Sequence, residues 1–281
     1  GVQTVLYYDS KGRVAQRRIL NYELENEVVS YAYDFTESPL RIKRIYDTNT
    51  KSTEEYRYEY DSHDRPLSES LCIDNGETVT LNCYEYDELG RVRLKKHADN
   101  DWLTTAYTYN NRSWLTELKG ELFSEALHYQ EKDYGKKLYS GKISSMDWKE
   151  REKAYVNTYY LGYDQLGRLT SAKYNNRKYY NSVYYQYDKM GNVTSLTRSG
   201  ERDNNHYGTI DILDYSYDGN QVVKVSDKES GPHFKGAFHF VDGADEDIEY
   251  TYDANGNMTR DLNKGIQSIE YNVLNLPVAV N

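Results

Sequence analysis

The chain has 281 residues, a formal net charge of -10, an apolar fraction of 38% and two cysteines. Its excess of acid over base opposes phosphate backbones and excludes a nucleic-acid binder that works by charge neutralisation, and no apolar run approaches the ~18 residues of a membrane-spanning helix. A mean hydropathy of -0.93 suits a disordered chain, but 32 residues are Tyr and only 5 are Phe, and tyrosine builds a core that keeps a polar handle on each ring.

A short phrase returns along the chain: Tyr84-Glu-Tyr86-Asp87-Glu-Leu-Gly90-Arg91-Val92, Gly162-Tyr163-Asp164-Gln-Leu-Gly167-Arg168-Leu169 and Tyr185-Gln-Tyr187-Asp188-Lys-Met-Gly191-Asn192-Val193. Self-similarity of this kind fixes architecture before any single residue is weighed. The Tyr-Asp or Tyr-Asn step marks the phase at Asp9, Asp34, Asp61, Asp87, Asn110, Asp164, Asp188, Asp218, Asp253 and Asn272, with successive differences of 25, 27, 26, 23, 54, 24, 30, 35 and 19. The interval of 54 is twice 27, so a degenerate copy is expected between Leu122 and Trp148, around Tyr129-Gln130 or Tyr139-Ser-Gly141.

The physical logic of the phrase is that of a β-hairpin. In Tyr-x-Tyr the rings sit at i and i+2 and share one face of a strand. Asp then accepts from the backbone two residues on, and Gly three residues after it supplies positive φ for a type I turn plus bulge. The repeat positions are Tyr7, Asp9 and Gly12; Tyr58, Tyr60 and Asp61; Tyr84, Tyr86, Asp87 and Gly90; Tyr163, Asp164 and Gly167; Tyr185, Tyr187, Asp188 and Gly191; Tyr215, Tyr217 and Asp218; Tyr250, Tyr252, Asp253 and Gly256; and Tyr271 with Asn272. A lone hairpin is marginal in water, so the predicted fold is all-β: repeated antiparallel hairpins in one continuous curled sheet over 1–281, with a degenerate region at 117–157.

In chain order, Arg41-Ile-Lys-Arg44 and Arg93-Leu-Lys-Lys-His97 read as solvent faces of strands. Asp64 stands where Gly is expected and Pro66 follows it, so this turn is expected to be of an altered type. With Asn75-Gly76 as a two-residue turn, Cys72 faces Val79 and Cys83 faces Ser68, a separation of roughly 13 Å that predicts free thiols. Lys149-Glu-Arg-Glu-Lys153 reads as a solvated hairpin tip or one helical turn, and Gly200–Gly208 and Ser226–Asp247 as polar loops. The start at Gly1 rather than Met suggests an excised or processed piece, with open sheet edges that predict self-association at high concentration.

No nucleophile elbow, zinc helix, P-loop or Cys-x-x-Cys pair is present. Of the histidines His63, His97, His128, His206, His233 and His239, only the last two are near in sequence, and no third ligand accompanies them. Asp242, Asp245 and Asp247 are the candidate calcium ligands, although a closing Glu in a full ligand set is missing; Asp253-Ala-Asn-Gly-Asn257 is already explained as a turn. Nothing in the spacing of the 45 acids selects a glycosidase pair. Trp102, Trp114 and Trp148 are candidates for stacking sugar rings, against the structural reading that each fills a groove between hairpins. No catalytic residue and no cofactor is predicted.

The phrase Tyr-x-Tyr-Asp-x-x-Gly-Arg/Asn-Val/Leu resembles the YD repeat of the Rhs and YD-repeat proteins, whose relatives include the teneurins and the shell subunit of insecticidal toxin complexes. The resemblance runs from Tyr7 to about Pro277. Tyr139-Ser-Gly-Lys-Ile143 with Met146 and Trp148, Phe240-Val-Asp-Gly243, Tyr250 to Met258 and Ile269 to Pro277 are similar to members of the Bacteroidetes type. The resemblance implies a spiral shell enclosing a variable C-terminal toxin domain of the same parent protein, and an extracellular or envelope location. The Asp-Pro motif of the family's autoprotease is missing, since the four prolines follow Ser38, Arg65, Gly231 and Leu276. The runner-up reading is a cell-surface module that binds a glycan or another protein.

Overall fold

The computed structural model describes residues 2–21, 26–47, 51–98, 100–130, 138–151, 153–175, 181–203, 206–229 and 239–281. Eighteen of its strands belong to one sheet. The chain divides into two units, 1–126 with 149–154, and 127–148 with 155–281.

In the first unit β1 (Val2–Tyr8), β2 (Val14–Asn21), β3 (Asn26–Tyr33), β4 (Pro39–Asp47), β5 (Ser52–Tyr60), β6 (Pro66–Ile73), β7 (Thr78–Tyr86), β8 (Val92–His97), β9 (Asn100–Tyr109), β10 (Leu115–Gly120) and most of β11 (Phe123–His128) follow one another. Each pairs antiparallel with its predecessor. The second unit holds most of β12 (Ser145–Glu150), then β13 (Asn157–Tyr163), β14 (Leu169–Tyr174), β15 (Val183–Tyr187), β16 (Val193–Asp203), β17 (His206–Asp218) and β18 (Gln221–Asp227), again in sequential antiparallel order. Two separate hairpins end the chain, β19 (Tyr250–Tyr252) with β20 (Met258–Asp261), and β21 (Ile269–Tyr271) with β22 (Pro277–Val280).

The turns explain why these strands start and stop where they do. At Asp9, Asp34, Asp61, Asp87, Asn110, Asp164, Asp188, Asp253 and Asn272 the N–H of the marker residue donates to the carbonyl four residues on, at 2.8–3.0 Å. In all nine the marker's Oδ1 accepts the N–H of that same fourth residue, at 2.8–3.1 Å. The residue between them, third after the marker, has φ between 57° and 100°. The incoming strand shifts register by one at the tyrosine before the marker, as with Tyr86 against Val92. This is the type I turn with a bulge expected of the phrase.

The turn after Asp61 is not of an altered type, contrary to expectation. Asp64 takes the left-handed position at φ 62° and keeps the same hydrogen bonds. A short polar side chain tolerates that conformation, and here the hydroxyls of Thr36 and Ser38 in the preceding turn donate to its carboxylate at 3.1 and 2.9 Å. Pro66 opens β6, where no ladder donor is required. Glu37, Ser113 and Asn275 fill the same position in other turns without glycine.

Other expectations also change. Cys83 faces Ser68, but Cys72 pairs with Thr78 because a bulge at Glu69/Ser70 absorbs a residue and Asp74-Asn75, both left-handed, form the turn. Both thiols are free. Gly200–Gly208 is largely strand: β16 and β17 run on as a hairpin to Asp203 opposite His206, and Gly200 leaves room for Ile210, whose Cδ1 would stand 3.1 Å from an added Cβ. Within Ser226–Asp247, residues 230–238 and His233 lie outside the described residues, and the part from His239 on carries no strand.

Burial is modest, as a thin sheet requires. Most tyrosines are half-buried, so they realise only part of the roughly 4–6 kcal/mol of full burial. The clearest apolar cluster joins Leu213, Val225 and Tyr250, with Leu196, Tyr215, Val222, Phe240, Tyr252 and Met258 against it.

Candidate functional site

The repeated side chains form a lattice of fastenings between successive hairpins. In nine copies the tyrosine just before the marker donates its hydroxyl to a main-chain carbonyl at the start of the previous hairpin's return strand. Tyr33, Tyr60, Tyr86, Tyr109, Tyr163, Tyr187, Tyr217, Tyr252 and Tyr271 bond to Val14, Pro39, Pro66, Val92, Ile143, Leu169, Val193, Val222 and Met258 at 2.7–3.0 Å. The other tyrosine of the pair lies on the same face, with ring centroids 6.2 Å apart for Tyr31 and Tyr33 and 6.3 Å for Tyr185 and Tyr187.

A cation completes the link. Arg13, Arg65, Arg91 and Arg168 each donate Nε to the Oδ2 of their own turn's Asp at 2.6–2.8 Å. The same guanidiniums lie 4.5–4.7 Å over the rings of Tyr33, Tyr86, Tyr109 and Tyr187 in the next hairpin. Arg13 and Arg168 also donate to the carbonyls of Asp34 and Asp188, at 3.0 and 2.9 Å. One side chain thus closes a turn and orients its neighbour. Burial pushes the phenols of Tyr33, Tyr86, Tyr109 and Tyr187 above their ordinary range, which keeps each hydroxyl a donor.

The degenerate copy occupies the same lattice. Gly141 is left-handed at φ 87°, Lys142 lies 5.4 Å over the Tyr163 ring, and the Ile143 carbonyl accepts the Tyr163 hydroxyl. These are the glycine, cation and acceptor of a turn whose marker position holds Leu138. The phase is therefore that of Tyr139-Ser-Gly141, and Lys142 stands where four other copies have arginine.

Where the sheet ladder ends, the phenol link persists. β19–β20 and β21–β22 are separate hairpins, but Tyr252 and Tyr271 still reach back to Val222 and Met258. Fully buried Glu249 stands at the break: its Oε2 accepts the Val225 N–H at 3.1 Å and Asn263 Nδ2 at 2.7 Å. Its own N–H donates to the Val223 carbonyl at 2.7 Å, so one main-chain bond and this side chain together hold the segment to β18, and no repeat signal pointed to it.

The hydroxyl link gives a direct test on Tyr187. Removing the hydroxyl in Tyr187→Phe leaves the Leu169 carbonyl without its donor and is expected to cost about 1 kcal/mol. Tyr187→Ala also removes the ring under Arg168 and is expected to cost about 3 kcal/mol. Urea unfolding measures both, and equal midpoints for wild type and Phe variant would dismiss the link as incidental.

The tryptophans separate. Trp148 stacks on Tyr159 at 5.5 Å and tilts against Tyr174 at 5.9 Å, filling space within its sheet. Trp114, half-buried, takes the fourth position of the Asn110 turn, with Arg112 5.1 Å from its ring. Trp102 in β9 is 54% exposed, and Arg151 covers one side of its ring at 4.3 Å. Beside it lies a cavity of about 160 Å³ lined by Trp102, Thr104, Leu118, Gly120, Glu121 and Phe123 among others. Two more open depressions adjoin it, and Glu121 lines all three. The Lys149–Lys153 run, expected to be a solvated hairpin tip or one helical turn, has a turn at Arg151, whose N–H donates to the Leu122 carbonyl at 2.9 Å and whose side chain helps line this concavity, with Glu152 outside the described residues.

The acidic candidates are dispersed among protein donors. Asp242 accepts the Asp227 N–H at 2.9 Å and Asp245 pairs with Lys224 at 3.2 Å, while Asp247 is exposed. Among the described residues no group of three or more His, Cys, Asp or Glu is arranged to hold a metal. His128 Nε2 is 2.9 Å from Asp147 Oδ2, whose other oxygen takes the Thr158 hydroxyl at 2.5 Å. His63 lies in the Asp61 turn and His97 lines the Trp102 cavity.

No protein-family profile matches the chain, and no curated protein matches it. Among solved structures it is similar to TcdB2-TccC3-TEV, at 13% identity and a TM-score of 0.45, and to TcdB2-TccC3 without its hypervariable C-terminal region, at 13% and 0.44. Both alignments cover 100% of this chain and 17% of the other, so the chain spans about a sixth of their length. A porin-like protein from Bacteroides uniformis ATCC 8492 aligns at 12% identity and a TM-score of 0.21, over 74% of this chain and 92% of that one.

Proposed function

We propose that this chain is a segment of a YD-repeat wall of the Rhs kind, which encloses or presents a C-terminal, toxin-type domain of the same parent protein at the cell envelope or outside the cell. The observation that carries this reading is the lattice: nine turns are closed by their own Asp or Asn, and nine tyrosine hydroxyls tie successive hairpins together at 2.7–3.0 Å. The repeated polar side chains are spent on joining hairpins, which suits a partition more than a reaction site. Such a wall resists entry because opening one hairpin means breaking its links to its neighbours.

The experiment is limited proteolysis of the natural parent protein at neutral pH. The expected result is that the repeat region is cut only as a unit and that a following domain stays intact until the wall unfolds. Digestion of that domain while the repeats remain folded would remove enclosure, and release of single repeats as stable pieces would remove the wall itself.

A further inference from the structure

The lattice makes no use of the Trp102 concavity, which lies near the ends of β9, β10 and β12, away from the marker turns. We infer that this concavity binds a neutral pyranose sugar, as the terminal unit of a glycan. The inference does not depend on the wall reading. Trp102 offers a large half-exposed ring with Arg151 over it at 4.3 Å, and the Asn100 side chain accepts its main-chain N–H at 3.0 Å. A pyranose presents a flat C–H face and a rim of hydroxyls, and an aromatic ring beside charged groups matches both.

The polar groups stand where that rim would lie. Glu121 lines the cavity and both flanking depressions, Asp101 borders one of them, and Arg151 borders the other. Arg151 Nε is 4.0 Å from Glu121 Oε1, so an acceptor and a donor sit side by side beneath one ring's reach. Carboxylates accept paired hydroxyl donors and the guanidinium donates in a fork. Phe123 and Leu118 supply the apolar lining, and Gly120 adds no side chain to it.

Size and charge narrow the ligand class. The concavity is open to solvent, with about 160 Å³ beside Trp102 and Phe123 and about 250 Å³ in each flanking depression. It has room for one terminal ring against Trp102 and for further units alongside. The rim sets Asp101 and Glu121 against Lys149 and Arg151, so its charges balance and suit a neutral sugar over uronic and sialic acids.

The test titrates the whole chain with methyl pyranosides of glucose, galactose, mannose and N-acetylglucosamine to high millimolar concentration, read by saturation-transfer NMR and by tryptophan emission. Saturable binding of at least one is expected, weakened about ten-fold in Trp102→Ala and several-fold in Glu121→Gln, with unchanged circular dichroism. Glu121→Gln keeps the test decisive if the Trp102 variant folds poorly. Binding by neither readout, or equal affinity in wild type and Glu121→Gln, would overturn the inference, as would preference for N-acetylneuraminic acid.

Discussion

Asp211→Ala is expected to destabilise the second unit by about 3 kcal/mol, among the largest effects of any single substitution in the chain. Asp211 is fully buried in β17, and its register partner on β16 is Arg198. Its Oδ2 accepts Arg198 Nε at 2.5 Å and also pairs with the second guanidinium nitrogen, while Oδ1 accepts the Phe240 N–H at 2.6 Å. That last bond pins the strandless segment whose Phe240 packs on Leu213, Val225 and Tyr250. Alanine would therefore strip a charge from its partner and release an apolar cover. The Arg198 side chain is 35% exposed, so water relieves part of the loss and keeps it below the limit for a wholly buried pair. Asp211→Asn retains an acceptor for Phe240 and should cost about half as much. Urea unfolding of the two variants, together with Arg198→Ala in a double-mutant cycle, measures the coupling. A loss under about 1 kcal/mol for alanine would mean that the segment from His239 to Glu249 is held by other contacts.

What was legible in the sequence is what the repeat period carries. Tyr-x-Tyr-Asp-x-x-Gly contains both the strand alternation and the turn chemistry, so hairpin after hairpin could be placed from it. The fourth residue after the marker, Arg13, Arg65, Arg91 or Arg168, shows no role in the phrase itself, because its role lies in a contact with the next hairpin about 20 residues on. The expected alteration at Asp64 failed because glycine was taken as the only left-handed residue, whereas Thr36 and Ser38 from the neighbouring turn support an aspartate there. Glu249 and Asp211 carry no local signature at all. Their value comes from burial, which a period of about 25 residues does not encode. Trp102 stood in a list of three, and only its exposure and the arrival of Arg151 from 49 positions away distinguish it.

The marker carboxylates should make the fold acid-labile over a defined range. Asp9, Asp34, Asp61, Asp87, Asp164, Asp188 and Asp253 all have pKa values below the ordinary carboxylate range. For Asp61 the Arg65 guanidinium is the largest cause and brings the value to about 2; for Asp87 it is the Arg91 main-chain N–H. At Asp164 and Asp188 burial pushes the other way, and the donors of Arg168 and Asn192 overcome it. A carboxylate whose pKa is depressed by folding adds stability above its unfolded value, near 3.9, and loses it as pH falls through the folded value. Stability is therefore expected to be nearly level from neutrality to about pH 5 and to fall steeply between about pH 4 and 2. The turns of Asn110 and Asn272 keep the same main-chain bonds without a titrating group. A triple variant, Asp61→Asn, Asp87→Asn and Asp164→Asn, should thus fold at neutral pH with a lower thermal midpoint, since three arginine pairs are lost, and show a visibly shallower acid limb. Thermal midpoints from pH 7 to 2 measure this. An acid limb identical to that of the wild type would assign the acid sensitivity to other carboxylates and deny the turns their electrostatic role.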